Sequence, residues 1–421
     1  MSPPFGQADP STPAAAAEDP TAQMDWTWFI HFMSQVRPTS SVTESARLFC
    51  ESVRELPGLD GAMIILWPVR GREAVHVTNS GPEIAGFSDG STLALERLDS
   101  IAALTEHGAW YLDFSDPGTR SLVGSELVDA IVQSGVTASA YGGLTSKGQV
   151  LGVLAIASTD PDGAAVLSSK LPLIEQLAGL AGAVLGAQAE RFVADESRRQ
   201  AIAELIDQRA LRTVFQPVVR LPKAEICGYE ALTRFDNGSP PDVVIAEAHE
   251  VGLGLELEEL CIDVALQSVD RLAPGMFLSL NMSAQTVLAG TAARALAAYD
   301  QQMVVELTEH AEVTDYPAVR ETLANYPNLK LAVDDAGAGF ASMRHILELA
   351  PAYVKLDRGL VHNVDTDPAR DALVAGMRHF ANLTGTELIA EGVETAREAT
   401  VLEWLGVELA QGYFFGRPQP L

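Results

Sequence analysis

The chain has 421 residues and a formal charge of −28, from 28 Lys+Arg against 56 Asp+Glu. That length allows two domains with sizeable cores, and that charge excludes unaided binding to a phosphate backbone or an anionic membrane. Cys50, Cys227 and Cys261 are too few and too scattered for a disulfide framework or a paired-cysteine zinc site.

The opening residues 1–23, rich in Pro, Ala and small polar side chains, bury too little to offset chain ordering and are expected to be a disordered tail. They lack the basic-then-apolar build of a leader. No uncharged apolar run of about 18 to 20 residues follows, so the expectation is a soluble cytoplasmic protein with neither membrane nor DNA or RNA polymer as partner. From Trp26, helical spacing through WTWFIHFMSQV and TESARLFCESVREL leads into strand-like GAMIILWPV and EAVHVTN. Helical patterns near LERLDSIAALTEH and SELVDAIVQSG come next. A hairpin of TASAYGGLT and QVLGVLAIAST, turned by Ser-Lys-Gly, completes the set. Strands mixed with helices predict an α+β domain with a mainly antiparallel sheet.

That order over 24–188 resembles the GAF sensory family in pattern, without a sharp motif. The resemblance implies a central sheet with packed helices, a small ligand of unknown identity and a homodimer. His31, His76 and His107 read as packing or surface residues rather than haem ligands. Beyond Pro172, apolar residues recur in three- and four-residue steps from Leu173 to Phe192, which predicts a long amphipathic helix continuing through a linker at 189–207. The polar stretch AERFVADESRRQ is expected to need a partner outside the sensory core. A two-helix dimer stalk and a helix packed on its own domain stand open as alternatives.

Residues 208–421 alternate strand and helix signals. Strand-like TVFQPVV, EICGYEALTRF, MFLSLNMS, MVVELTE, LKLAVDD, YVKLD, ELIAEG and VELAQGY are mostly separated by helical stretches. Five of these runs end on an acid or amide: Glu230, Asn281, Glu306 with Glu309, Asp334 with Asp335, and Glu391. In a (β/α)₈ barrel, functional groups stand at the C-terminal strand ends and converge on one mouth, so this punctuation predicts a barrel gathering a metal site. A doubly wound open sheet is the alternative, but it would concentrate ligands at one switch point. Taken singly, Asp334-Asp335 before Ala-Gly-Ala-Gly reads as a turn with a helix cap, Glu306 and Glu309 as a helix-start pair, and Asn281 with Ser283 as a cap. Solvated acids have no reason to follow apolar strands so regularly. His249, His310, His345, His362 and His379 read as helix or loop residues.

GYEALTRF, NMSAQ, VELTE, DDAGAG, VKLDR, AEGVET and QGYFFGRP, in that order, resemble the signature series of the EAL family of cyclic di-GMP phosphodiesterases. The resemblance implies a (β/α)₈-like barrel whose first strand can run antiparallel, two Mg²⁺ or Mn²⁺ ions, and hydrolysis of cyclic di-GMP to linear pGpG. It further implies that Glu230, Asn281, Glu306 and Asp334 hold one ion, with Asp334 bridging to a second held by Asp335 and Glu391. Hard oxygen donors without a central Cys or His suit those ions. Lys355 is matched to a position touching the attacking water or phosphate, Glu391 to a ligand or general base, and Gln411 to a water-orienting position. Glu309 would anchor the loop after the paired aspartates. Gln216, Leu232 and Arg234 match dinucleotide contacts, with the Arg234 fork suited to a phosphate, and Glu394 matches a guanine-edge or loop-supporting place. Two departures stand out: Ala336 replaces the family's usual aromatic, and the Asn281–Glu306 interval is short. The expected activity is GAF-regulated hydrolysis. The rivals are a silent cyclic di-GMP receptor signalling through a dimer, and a hydrolase of another phosphodiester.

Overall fold

A computed structural model describes residues 26–36, 39–67, 73–94, 103–105, 107–307, 313, 315–336 and 340–421, with only the backbone of a few, among them Asp335 and Ala336. The expected tail, most of LERLDSIAALTEH, and Glu309 and His310 lie outside the described residues. The chain divides into two compact units, Met1–Ala201 and Ile202–Leu421.

In the first unit, β1 (Gly61–Leu66), β2 (Glu73–Ser80), β3 (Thr92–Ala94), β4 (Trp110–Asp113), β5 (Ala138–Ser146) and β6 (Gln149–Ser158) form one sheet in the order β3-β2-β1-β6-β5-β4. Every pairing is antiparallel, the α+β arrangement the sequence predicts. The β5–β6 turn falls on Lys147 and Gly148, both at positive φ (48° and 80°), the paired left-handed conformation a two-residue hairpin requires. The short edge strands β3 and β4 escaped the sequence reading because three or four residues show no usable alternation. The helix Pro117–Val123 also escaped it, although Asp116 accepts from Gly118 N at 2.7 Å and Pro117 opens the first turn.

The long helix runs from Leu171 to Asp207. Ile174, Leu177, Ala178, Ala181 and Leu185 bury against the sheet of their own domain. Ala189 and Val193 join that core, with Phe192 beside it. The stripe continues to these positions because 3.6 residues per turn keep them on the sheet-facing side. One 18-residue window of this helix is long and apolar enough by composition to cross a bilayer, and 44% of it is buried in the protein. Ile202, where the second unit begins, packs with Leu211, Phe235, Val244 and Leu257 within that unit.

The second unit is a closed barrel of β7 (Leu211–Arg220), β8 (Glu225–Phe235), β9 (Phe277–Asn281), β10 (Met303–Leu307), β11 (Leu329–Ala336), β12 (Tyr353–Leu356), β13 (Glu387–Ala390) and β14 (Leu409–Gln411), adjacent in chain order all the way round. Strand β7 runs antiparallel to both β8 and β14, and the other pairings are parallel. Closure rules out the open doubly wound sheet. Two short helices, Ala284–Ala289 and Thr291–Ala297, fill the brief interval after β9, with Gly290 between them at φ 74°. Ser283 does cap the first of them, accepting from Thr286 N at 3.2 Å.

Inside the barrel, Val218, Phe277, Val304, Ala332, Ile389 and Leu409 pack as an apolar floor. Gly228 belongs to the same tier: a Cβ there would lie 2.6 Å from the Phe277 ring, so glycine makes room for the phenyl group. Side chains alternate across a strand with period two, so the residue two positions nearer the mouth also points inward. That step leads from Gly228 to Glu230, Phe277 to Ser279, Val304 to Glu306, Ala332 to Asp334, Ile389 to Glu391 and Leu409 to Gln411. On antiparallel β7 it leads backwards, from Val218 to Gln216. A polar tier therefore sits directly on a dry one.

Candidate active site at the barrel mouth

Lys355 stands at the centre of the polar tier, 1% exposed. Its ammonium lies 2.7 Å from Glu306, 2.7 Å from Glu391, 3.3 Å from Asp334 and 3.5 Å from Glu230. Strands distant in sequence thus deliver four carboxylates to one cation. Glu306 also accepts from Ser279 Oγ, and Glu230 accepts from Asn281 Nδ2 at 3.1 Å and from Gln411 Nε2 at 2.6 Å. Gln411 Nε2 reaches Gln216 Oε1 at 3.1 Å as well, and Gln216 Nε2 donates to Gly416 O at 3.2 Å.

Burial acts against every charge here, and the neighbours decide the outcome. For Glu230, burial raises the carboxyl, but Lys355 and the amides of Gln411 and Asn281 outweigh it and hold the group below the usual range. Glu306 is pushed well above that range by burial and by the Glu230 charge, which Lys355 does not cancel. Glu391 rises to about 8, through burial first and through Asp334 and Glu230 against the pull of Lys355. Burial lowers the Lys355 ammonium, yet the surrounding carboxylates raise it well above its ordinary value. The cluster carries more negative potential than one ammonium balances.

The donor chemistry fits an additional hard cation. The side chains converging on Lys355 offer carboxylate and amide oxygens, and burial first, with neighbouring carboxylates adding to it, raises two of the carboxyls. Gln411 Oε1 is buried with no hydrogen-bond partner, an acceptor left for a donor such as an ordered water. Among the described residues, however, no three of His, Cys, Asp and Glu are spaced as a ready-made ion cage. The Asp335 side chain and all of Glu309 lie outside the described atoms.

A cavity of about 310 Å³ opens above the cluster, lined in part by Gln216, Leu232, Arg358, Glu394, Gly412 and Tyr413. Arg358 and Glu394 pair at 2.8 Å across its rim. Arg234 lies elsewhere: its guanidinium donates to Thr233 O at 2.7 Å, and it lines a neighbouring cavity of about 720 Å³ with Asn281, Ser283, His249 and Glu258. Leu232 borders both spaces.

Sequence reasoning missed Ser279, Arg358, Tyr413 and Glu398. Ser279 was discoverable as the inward position two before Asn281, and Glu398 from the capping box Thr395-x-x-Glu398. Glu398 accepts backbone N–H groups of Asn363 (2.9 Å), Glu394 (3.0 Å) and Thr395 (3.0 Å), tying the segment after Glu391 to the turn after β12.

Residues 199–418 match the EAL domain model, and the chain belongs to that family. It is 27% identical over 258 residues to cyclic di-GMP phosphodiesterase PdeL of Escherichia coli (strain K12), covering 56% of this chain and 71% of that protein. Probable cyclic di-GMP phosphodiesterase PdeD of the same organism is 28% identical over 220 residues, 49% of this chain and 41% of the relative, so this chain spans under half of PdeD. A solved structure described as the PaMucR phosphodiesterase in a c-di-GMP complex is similar at 25% identity and TM-score 0.47, covering 53% of this chain and 97% of that one.

Proposed function

We propose that the second unit hydrolyses cyclic di-GMP to linear pGpG. The observation that carries the reading is the convergence of Glu230, Glu306, Asp334 and Glu391 on Lys355 at the mouth of a closed barrel. Relatives named as cyclic di-GMP phosphodiesterases supply the substrate.

EAL phosphodiesterases generally depend on divalent metal ions. Here Glu230, Asn281, Glu306 and Asp334 would hold one Mg²⁺ or Mn²⁺, and Asp334, Asp335 and Glu391 a second. Such ions supply charge neutralisation at the phosphate and a lowered pKa for bound water. The chain's own groups do the rest. Gln411 Oε1 accepts a hydrogen bond from the attacking water and aims it, and Glu391, which the charge of bound cations would keep ionised, takes its proton. The water oxygen bonds to phosphorus as the P–O3′ bond breaks, and the departing 3′ oxygen is protonated from solvent. Lys355 keeps its proton and offsets charge on the phosphoryl oxygens. Leu232 packs against the dinucleotide, Arg234 holds its second phosphate from the adjoining cavity, and Glu394 meets a guanine edge. Glu309 anchors the loop after Asp335.

Incubating the purified chain with cyclic di-GMP and Mn²⁺ should yield pGpG, and Glu230→Ala or Asp335→Asn should abolish it. Wild-type turnover in either variant removes the assignment. The rival reading is a silent receptor that binds cyclic di-GMP without cleaving it. Tight cyclic di-GMP binding without pGpG would establish that reading.

Control by the first unit, as a GAF-like sensory domain in a cytoplasmic homodimer, is part of the same proposal. It is supported by the antiparallel sheet and by a cavity of about 70 Å³ among Met63, Ile65, Phe87 and Tyr141, sized for a small, largely apolar ligand. Comparing turnover and mass of the whole chain with residues 199–421 tests it; identical values would end it.

A further inference from the structure

We propose that Gln216 is a positioning residue rather than a substrate contact: acting through Gln411, and held by the Gly416 carbonyl, it braces Glu230 for cation binding. The inference rests on the reading of Glu230 as a cation ligand.

Four groups form one line: Gly416 O, the Gln216 amide, the Gln411 amide and the Glu230 carboxylate. Both ends can only accept. Glu230 Oε2 therefore requires the nitrogen of Gln411 at 2.6 Å, and Gly416 O requires the nitrogen of Gln216 at 3.2 Å. The Gln216 oxygen then faces Gln411 Nε2, at 3.1 Å. No amide in the line can turn over without placing oxygen against oxygen. One result is a fixed Glu230 carboxylate. The other is that Gln411 Oε1 is the atom left buried without a donor. Gln216 is 8% exposed, and both ends of its amide are engaged within the protein.

The far end of the line is itself anchored. Phe215 and Gln419 exchange backbone hydrogen bonds at 2.8 and 3.1 Å, fastening the C-terminal segment to β7. A Cβ at Gly416 would lie 2.6 Å from Pro217 Cγ, so only glycine brings that carbonyl so close to the strand. Residues linked in this way behave as a unit, and the partners that orient a metal ligand typically matter by roughly ten- to a hundredfold in metal affinity or activity.

The test is a Mn²⁺ titration of the full chain by calorimetry, run beside cyclic di-GMP kinetics. Gln216→Ala and Gly416→Val should each weaken Mn²⁺ binding by about tenfold, with kcat lowered and KM within about twofold of wild type. The double variant should be no weaker than the stronger single one. Gln216→Leu keeps the volume but loses both the acceptor for Gln411 and the donor to Gly416, and should weaken Mn²⁺ binding as Gln216→Ala does; it serves if Gly416→Val does not fold. Wild-type Mn²⁺ affinity in Gln216→Ala, a defect confined to KM, or additive effects in the double variant would each overturn the brace. Mn²⁺ binding without hydrolysis by the unaltered chain would end the phosphodiesterase reading, and the titrations would still decide the brace. A chain that binds no Mn²⁺ would remove both.

Discussion

Lys355 Nζ donates to Glu306 Oε2 at 2.7 Å although β11 stands between their strands, because both side chains point into the barrel and meet above its floor. Removing the lysine leaves the carboxylates without their internal counterion. Lys355→Met should destabilise the chelator-treated protein by about 3 kcal/mol, the scale of breaking a buried pair. Added Mn²⁺ should recover part of that loss. Urea unfolding with and without the ion checks it, and an unchanged midpoint without metal would contradict the counterion role.

Glu398 offers the cleanest pH dependence. Burial alone raises its carboxyl, but the N–H donors of Asn363, Glu394 and Thr395 hold it below the usual range. A depressed folded value means that the stabilisation is fully present above the unfolded carboxyl pKa of about 4.3 and is lost as pH falls through the folded one. Glu398→Gln should therefore cost about 2 kcal/mol at neutral pH. The gap from wild type should close under acid, and a gap independent of pH would refute it.

Arg358 pairs with Glu394 on the exposed rim, so its removal should change stability by less than about 1 kcal/mol. It is also the exposed cation among the residues lining the mouth cavity, and the substrate is anionic. Arg358→Ala should raise KM for cyclic di-GMP several-fold at low salt and much less at high salt, where screening shortens its reach. Equal KM values at both salt levels would dismiss it as a binding group.

Gly182 tests how the long helix sits. A Cβ there would approach Thr145 O to 2.1 Å, and one at Gly142 would meet Ala178 Cβ at 2.7 Å, so helix and hairpin touch along a seam of small residues. Gly182→Ala should cost about 2 kcal/mol through overpacking. Hydrogen exchange at Ala138–Ser158 should quicken in the variant, and unaltered protection would show that the helix is not seated there.

The sequence by itself determined the barrel, the antiparallel character of the first sheet and the identity of the acids that gather. Each depends on local regularities: alternation along a strand, a glycine pair at a turn, an acid or amide at a strand end. Tertiary structure alone decided what those groups touch. Nothing local in VKLD shows that Lys355 sits among Glu230, Glu306, Asp334 and Glu391, since those distances depend on barrel closure between residues far apart in the chain. The same holds for Gln216, Gln411 and Gly416, aligned only because β14 and the C-terminal segment both lie against β7. It holds too for Arg234, which a strand-end motif groups with the mouth residues and the fold assigns to the cavity beside it. Period-two geometry fixes which way a side chain points; only the closed sheet fixes what stands opposite.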